Sequence, residues 1–306
     1  MSIVIVGSVA FDTIETPQER VERAIGGSAT YSSMIASMFC PVKLVGVVGE
    51  DFRAEHRAVL EAKGIDLEGL ETVEGGKTFF WEGRYGADPN ERDTLVTELN
   101  VFETFKPILP ESWRGSGFLF LGNIDPDLQI DVLDQMDEGT VSGCDTMNFW
   151  IEGKPESLKK LLSKVDILFV NDGEARQLSG ENNLLHAGKA ILDMGPSVVV
   201  IKKGEHGAML MTEDMKFITP AFPLESVSDP TGAGDTFAGG FMACLAAAGK
   251  VDSKSLKRAM VYGTVSASFT CEQFSVERLK ALSHGDIRKR FNELMAMVRV
   301  DDEVLD

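Results

Sequence analysis

Asp229-Pro230-Thr231-Gly232-Ala233-Gly234-Asp235-Thr236-Phe237-Ala238-Gly239-Gly240-Phe241 decides how this 306-residue chain folds, because it reads as a turn feeding a helix. Pro230 pushes Asp229 towards extended backbone, so a preceding strand ends there. Thr231 is suited to capping, and Gly232 and Gly234 let the backbone bend tightly with its amides exposed. From Ala233 the residues Phe237, Phe241, Cys244, Leu245 and Ala248 recur at helical spacing. This predicts a helix over 233–248, with Gly249 as its stop. Gly239 and Gly240 each weaken such a helix by about 1 kcal/mol relative to Ala, which predicts another backbone packed close against it.

A glycine turn that opens a helix aims free N–H groups and a positive dipole end at whatever lies in front of it. That is a site for phosphate, or for charge building on a transferring phosphoryl group, with Gly232, Ala233 and Gly234 as the donors. Asp235 stands in the first helical turn beside it. A carboxylate there can take the proton of a hydroxyl that attacks phosphorus. A carboxylate that only favours the helix dipole fits the spacing equally well.

Outward from this stretch, strands and helices alternate. The apolar runs 3–7 and 42–48 are too continuous for half-solvated strands and fit a sheet covered on both faces. Further strands are predicted at 118–121, 141–147, 167–171 and 197–201, with helices at 28–38, 52–63, 126–136, 155–163, 173–178 and 184–193. A strand pair at 208–211 and 216–219 precedes helices at 233–248, 253–270 and within 276–298. Repeated β-then-α units imply an α/β chain with a doubly wound, mostly parallel sheet. Such sheets bind ligands beyond the carboxyl ends of their strands, and Asp12, Asn171, Lys202 and Asp235 all follow apolar strands.

Segments 77–84 and 94–99 differ in character, being polar, aromatic and alternating around a loop with Gly86, Asp88, Pro89 and Asn90. They predict an antiparallel pair outside the main sheet. Alternation puts Phe79, Trp81, Gly83 and Tyr85 on one face, either as a cover over a substrate or as a contact with a second copy. Arg84 and Arg92 lie on that pair too and are its candidates for the basic pocket that a phosphosugar substrate would need, and Phe149 and Trp150 are expected to be packed.

Charge and composition narrow the function. Thirty basic against 48 acidic residues give a net charge of −18, which argues against nucleic acid as a partner. No apolar run reaches membrane-spanning length, and residues 1–7 form a short strand without a basic leader. Cys40, Cys144, Cys244 and Cys271 are scattered without metal-binding spacing and are expected as buried, reduced thiols in a cytoplasmic protein. The acidic end, 301–306, is expected to fray. Two look-alikes fail on spacing: Gly76-Lys77-Thr78 lacks the earlier glycine of a phosphate loop, where Glu71 stands. Gly232-x-Gly234 has Phe237 at the third glycine position of a dinucleotide fingerprint.

The stretch from Asp229 to Phe237 resembles the C-terminal signature of the PfkB family, the ribokinase-like sugar and nucleoside kinases. Gly26-Gly27-Ser28-Ala29-Thr30-Tyr31 resembles the family's N-terminal signature, and Asn171-Asp172-Gly173-Glu174 its Asn-x-x-Glu motif. The resemblance implies one ribokinase-like domain over 1–306, with a small β lid from roughly 10–25 and 76–102. It implies ATP-dependent phosphorylation of a sugar or, alternatively, a nucleoside, with Asp235 as base and Asp12, Gly26, Gly27 and Tyr31 at the substrate. Asn171, Glu174, Lys202, Gly204, Thr231, Gly232 and Gly234 would meet the nucleotide. Glu174 would act on Mg²⁺ through water, and Asp229 and Thr231 would face a monovalent cation such as K⁺. A homodimer through the lid is implied as well. Tyr31 stands where many members carry Asn, and Ala10 where ribokinase-type members do. Both departures point away from ribose-type recognition, towards a larger or more apolar acceptor. A silent sugar- or nucleotide-binding protein on the same fold is a further reading.

Overall fold

The computed structural model describes residues 1–86, 88 and 92–300; Pro89 and Asn90 of the expected loop, and the acidic end, lie outside them. In chain order its strands are β1 Ile3–Val6, β2 Ala10–Glu15, β3 Arg20–Gly26, β4 Val42–Gly49, β5 Leu70–Val73, β6 Phe79–Tyr85 and β7 Arg92–Glu98. Then come β8 Phe118–Leu121, β9 Val141–Asp145, β10 Ile167–Asn171, β11 Val198–Lys202, β12 Ala208–Met211 and β13 Lys216–Thr219.

Nine of these form one sheet in the order β13-β12-β11-β10-β9-β8-β1-β4-β5. Its pairs are parallel from β5 to β11, and β12 and β13 add antiparallel at one edge. The unbroken apolar runs follow from burial on both faces. Ile3 and Ile5 of β1 join a core with helices Ser28–Ala36, Ala233–Ala248 and Ser253–Thr270. Val4 and Val6 point the other way, into a core with helices Pro155–Leu162, Asp172–Ser179 and Leu184–Leu192. Each such fully buried Leu, Ile or Phe stabilises the fold by about 1.5–3 kcal/mol.

The helix Ala233–Ala248 has the bounds its sequence predicts and stops at Gly249, which is left-handed with φ 65°. Gly239 explains itself here: a methyl group on it would lie 2.5 Å from the backbone oxygen of Ser32, so only glycine lets the two helices touch.

A separate four-stranded sheet has the order β3-β2-β6-β7. Its β2–β6 pair is parallel and its flanking pairs are antiparallel. Its two faces differ sharply. On one, Phe11 packs on Phe52 and His56, and further out Glu15 pairs with Arg84 at 2.8 Å and Arg20 with Glu82 at 3.0 Å. The other carries Asp12 in register with Trp81, and Tyr85 in register with Arg92. The Gly76-Lys77-Thr78 look-alike is a structural turn between β5 and β6, where Thr78 donates to Asp51 and accepts from the Gly49 amide.

Several boundaries differ from the sequence expectation. The strand predicted over 141–147 ends at Asp145, and Asn148–Gly153 is a short helix. Phe149 on that helix is 61% exposed rather than packed, while Trp150 donates to the Asn123 side chain at 2.9 Å. Residues 276–298 divide into helices Glu277–Ala281 and His284–Val298, because Leu282 turns extended and Ser283 opens a new capping box. All four cysteines are free, Cys144 and Cys244 buried and Cys40 and Cys271 only partly so. No helix among the described residues is long and apolar enough to cross a membrane.

Candidate active site

The carboxyl edge of the large sheet and the Asp12 face of the small one meet around the start of helix Ala233–Ala248. Gly232 is its N-cap, left-handed at φ 76°, and the Ala233 amide that follows donates to the Pro230 carbonyl at 3.2 Å, so the expected Ala233 donor is already engaged in the turn. The ring of Tyr31 lies directly beneath: a methyl group on Gly232 would sit 2.4 Å from it. Gly232→Ala therefore combines left-handed strain of about 1–2 kcal/mol with a clash that must move Tyr31. We expect it to lower unfolding free energy by about 2 kcal/mol or more in denaturant titration. An unchanged midpoint would mean that the turn is looser than described.

Asp229 shapes the same turn from behind. One carboxylate oxygen accepts from the Thr231 amide at 2.8 Å and the other from the Ser275 amide at 3.0 Å. Ser275, itself at positive φ, donates through its hydroxyl to the Ile25 carbonyl at 2.5 Å. Thr231 in turn donates to the Tyr85 hydroxyl at 3.0 Å, which joins the small sheet to the anion turn.

Asp235 sits in the first turn with its carbonyl accepting from Ser32 at 3.1 Å. Burial, reinforced by the Asp145 charge and opposed by Lys202 and Arg92, raises its carboxyl to about 7. Asp12 is 4% exposed, and burial, with Asp229 and Asp235 close by, pushes it to about 8. It presses against Gly26, where a methyl group would lie 1.8 Å from its oxygen, and the nearby Gly27 amide works against the upward shift. The Tyr31 hydroxyl is wholly buried with no hydrogen-bond partner among the described residues, and the charges of Asp229, Asp12 and Asp235 all act on it.

On the nucleotide side, Asn171 and Glu174 form a reciprocal capping box. The Asn171 amide donates to Glu174 at 2.7 Å, and the Glu174 amide to Asn171 at 2.8 Å. Both residues thus cap the helix Asp172–Ser179, while Glu174, raised to about 7 by burial, still leaves one oxygen uncommitted to the box. Lys202 is not a solvated surface lysine. Its ammonium pairs with Asp145 at 2.8 Å and lies 3.2 Å from where a side chain on Gly234 would begin. Burial pulls Lys202 down, but Asp145, Glu174 and Asp235 more than offset this, so its net shift is upward.

The structure thus gathers Asp12, Gly26, Gly27, Tyr31, Asn171, Glu174, Lys202, Asp229, Thr231, Gly232, Ala233, Gly234 and Asp235 around one cleft. Gly204 opens an exposed turn after β11. Sequence reasoning missed Asp145. Asp145 carried the same signal as Asn171, a polar residue ending a strand on this edge, but a strand extended to 147 hid it.

The donor set suits hard, anionic and cationic partners. Amides and an ammonium converge for phosphate oxygens, and carboxylate oxygens of Glu174 and Asp145 stand beside them for a water-clad Mg²⁺.

Residues 1–280 match the model of the pfkB family carbohydrate kinases. The cytidine kinase of Thermococcus kodakarensis is 30% identical over 253 residues, 79% of this chain and 88% of that protein. The ATP-dependent ribose-1-phosphate kinase of Halopiger xanaduensis is 28% identical over 81% of this chain and 82% of its own length. Among solved structures, a putative ribokinase II from E. coli in complex with ATP and Mg²⁺ superposes with a TM-score of 0.80 at 19% identity, covering 95% of this chain and 99% of that one. That likeness is one of fold.

Proposed function

The chain belongs to the pfkB family of carbohydrate kinases, phosphotransferases that act on hydroxyl groups, and from that premise we propose how its own residues carry out the transfer. The acceptor, a sugar or sugar-like molecule, lies between the two sheets with its hydroxyls on Asp12. Asp235 takes the proton from the attacking hydroxyl, whose oxygen bonds to the γ-phosphorus as the bond to the β-phosphate oxygen breaks and ADP leaves. The Gly232 and Gly234 amides and the Lys202 ammonium stabilise charge on the transferring group. Mg²⁺, when bound, neutralises charge on the nucleotide phosphates; Glu174, with Asn171 fixing it, is placed to order its water shell. Tyr31 aims a buried, unpaired hydroxyl at the acceptor, and the small sheet acts as a lid that excludes water. A nucleoside acceptor is supported by the name of the cytidine kinase relative.

The observation that carries this reading is a raised carboxyl in the first turn of a helix that starts from a left-handed glycine. It has a sign that can be checked. Asp235 works as a base only when deprotonated, so kcat/KM should rise with pH through about 7 and level off above. A coupled ADP-release assay with ATP, Mg²⁺ and a panel of sugars, sugar phosphates and nucleosides tests both points. A flat profile on a working acceptor would remove Asp235 as base.

Asp229 and Thr231 are proposed to hold a monovalent cation behind the anion turn, so K⁺ titration should raise the rate in the wild type but not in Asp229→Asn. Leu95 and Leu99, 42% and 43% exposed on and beside the edge strand β7, favour a homodimer through the small sheet, which light scattering would read. The acidic surface fits a protein of the cytoplasm that binds small molecules rather than nucleic acid or membrane.

A further inference from the structure

Arg23 is one of three described residues other than glycine at positive φ, with a value of 50°. Such a residue is strained, and it persists only where its surroundings over-determine its conformation. Here they do. Its amide donates to the Thr13 hydroxyl at 3.1 Å, and its guanidinium donates to Asp51 at 2.9 Å. The same guanidinium lies 4.6 Å from the centre of the Phe11 ring and 6.0 Å from that of Phe80.

The strained residue makes the bulge of β3. Asp12 of β2 is in register with Ala24 and Ile14 with Val21, so Glu22 and Arg23 together stand against Thr13. A bulge of this kind bends its strand and re-aims the side chains beside it. Without the extra residue, pairing carried inward from Glu15 and Arg20 would set Asp12 opposite Arg23 instead of Ala24. Asp12 would then leave its seat against Gly26, where its oxygen leaves no room for a methyl group. Holding Arg23 in place therefore holds the aim of Asp12.

Asp51 does the holding, from a position just beyond β4 of the large sheet. Its two oxygens are divided between the strands that flank β2. Oδ1 accepts from the amide and the hydroxyl of Thr78, just before β6, at 2.8 and 2.6 Å, while Oδ2 accepts from Arg23 of β3. One carboxylate thus sets both neighbours of the Asp12 strand against the large sheet. The Arg23 side chain is 54% exposed and that of Asp51 28%, and a pair so exposed adds little to global stability. Its expense of backbone strain beside Asp12 is accounted for by position rather than by folding. We infer that Arg23 and Asp51 are positioning residues that keep Asp12 aimed at the acceptor, an assignment that rests on the place given to Asp12 above. They touch no substrate and act through the bulge.

The test uses the full chain as wild type, Arg23→Gln, Arg23→Lys, Arg23→Gly, Asp51→Asn and the double variant Arg23→Gln with Asp51→Asn. Asparagine keeps an oxygen for Thr78 and withdraws the one that holds Arg23. Glycine takes positive φ without strain, so it removes the pair while sparing the fold. ADP release with ATP, Mg²⁺ and ribose, fructose 6-phosphate or adenosine gives the KM of acceptor and of ATP. Hydrogen exchange over residues 10–26 reads the hold on the bulge with no substrate present. The acceptor KM should rise roughly fivefold to tenfold in Arg23→Gln, Arg23→Gly and Asp51→Asn, and no further in the double variant. Arg23→Lys should regain part of it, while kcat and the KM for ATP stay within about twofold of wild type. Exchange over 10–26 should quicken in the same variants. Wild-type acceptor KM and exchange in Arg23→Gln and Asp51→Asn overturn the assignment. So does a loss shared equally by kcat and both KM values, which marks a merely structural pair. Asp12→Asn with a wild-type acceptor KM, or turnover of none of the three acceptors, would overturn the reading beneath it, and the exchange data then decide by themselves whether the bulge is held.

Discussion

Asp235→Asn should lower kcat by about a thousandfold while leaving the acceptor KM within a few-fold of wild type. Asparagine keeps the size of the side chain and its place in the first helical turn, so the anion turn and the Ser32 hydrogen bond to the backbone survive. What it cannot do is accept the hydroxyl proton. The loss should be greatest above neutral pH, where the wild-type carboxyl, held near 7 by burial and by Asp145, is fully deprotonated. Below that point the wild type itself falls, so the gap narrows. Steady-state kinetics across this range on any working acceptor measures both features. A variant that keeps a tenth or more of wild-type turnover would show that the proton leaves by another route.

The second large effect lies in the Lys202–Asp145 pair, whose side chains are only 17% and 7% exposed. Asp145→Ala leaves an ammonium in a poorly hydrated place without its carboxylate, and should cost about 3 kcal/mol of stability. Because Lys202 is shifted upward in the folded protein, the contribution of the pair is complete below the ordinary lysine value and is lost only as pH rises past the folded one. The deficit should therefore persist at neutral pH and shrink only in strong alkali. Removing both charges, as Asp145→Asn with Lys202→Met, should recover most of the stability, since a buried pair is seldom worth more than a well-packed apolar substitute. It should not recover catalysis if the ammonium beside Gly234 acts on the transferring group as proposed; a loss of about 100-fold in kcat/KM for ATP is expected. Denaturant titrations and ATP kinetics on the same three proteins separate the roles. Single and double variants of equal stability would mean that the two charges are not coupled.

Much of this architecture was legible before any coordinates. The helix Ala233–Ala248 could be bounded at both ends because Gly232 and Gly249 both adopt the left-handed conformation that glycine alone takes easily. The strands of the large sheet could be read because burial on both faces leaves no polar alternation to confuse with a helix. The small sheet was harder. β3 runs Arg20-Val21-Glu22-Arg23, with a bulge opposite β2, so its pattern is that of a charged loop. Lys202 followed by Lys203 looks like a solvated doublet, and only register with Asn171 reveals that the first lysine points into the cleft. The seat of Tyr31 under Gly232 joins residues two hundred positions apart, and no local pattern encodes such a contact.

The hydroxyl contact between Thr231 and Tyr85 has a kinetic corollary. It fastens the small sheet to the turn beside Asp235, the proposed base, whose raised carboxyl comes from burial. Lifting the sheet would let water return to Asp235, and a hydrated aspartate has a pKa near 4, roughly a thousandfold weaker as a proton acceptor. ATP resting in an open cleft would thus face a nearly inert carboxylate, and the enzyme would idle instead of draining its nucleotide into solvent. Acceptor-free ATP hydrolysis should accordingly be slow, and no faster in Tyr85→Phe, where the latch is loosened.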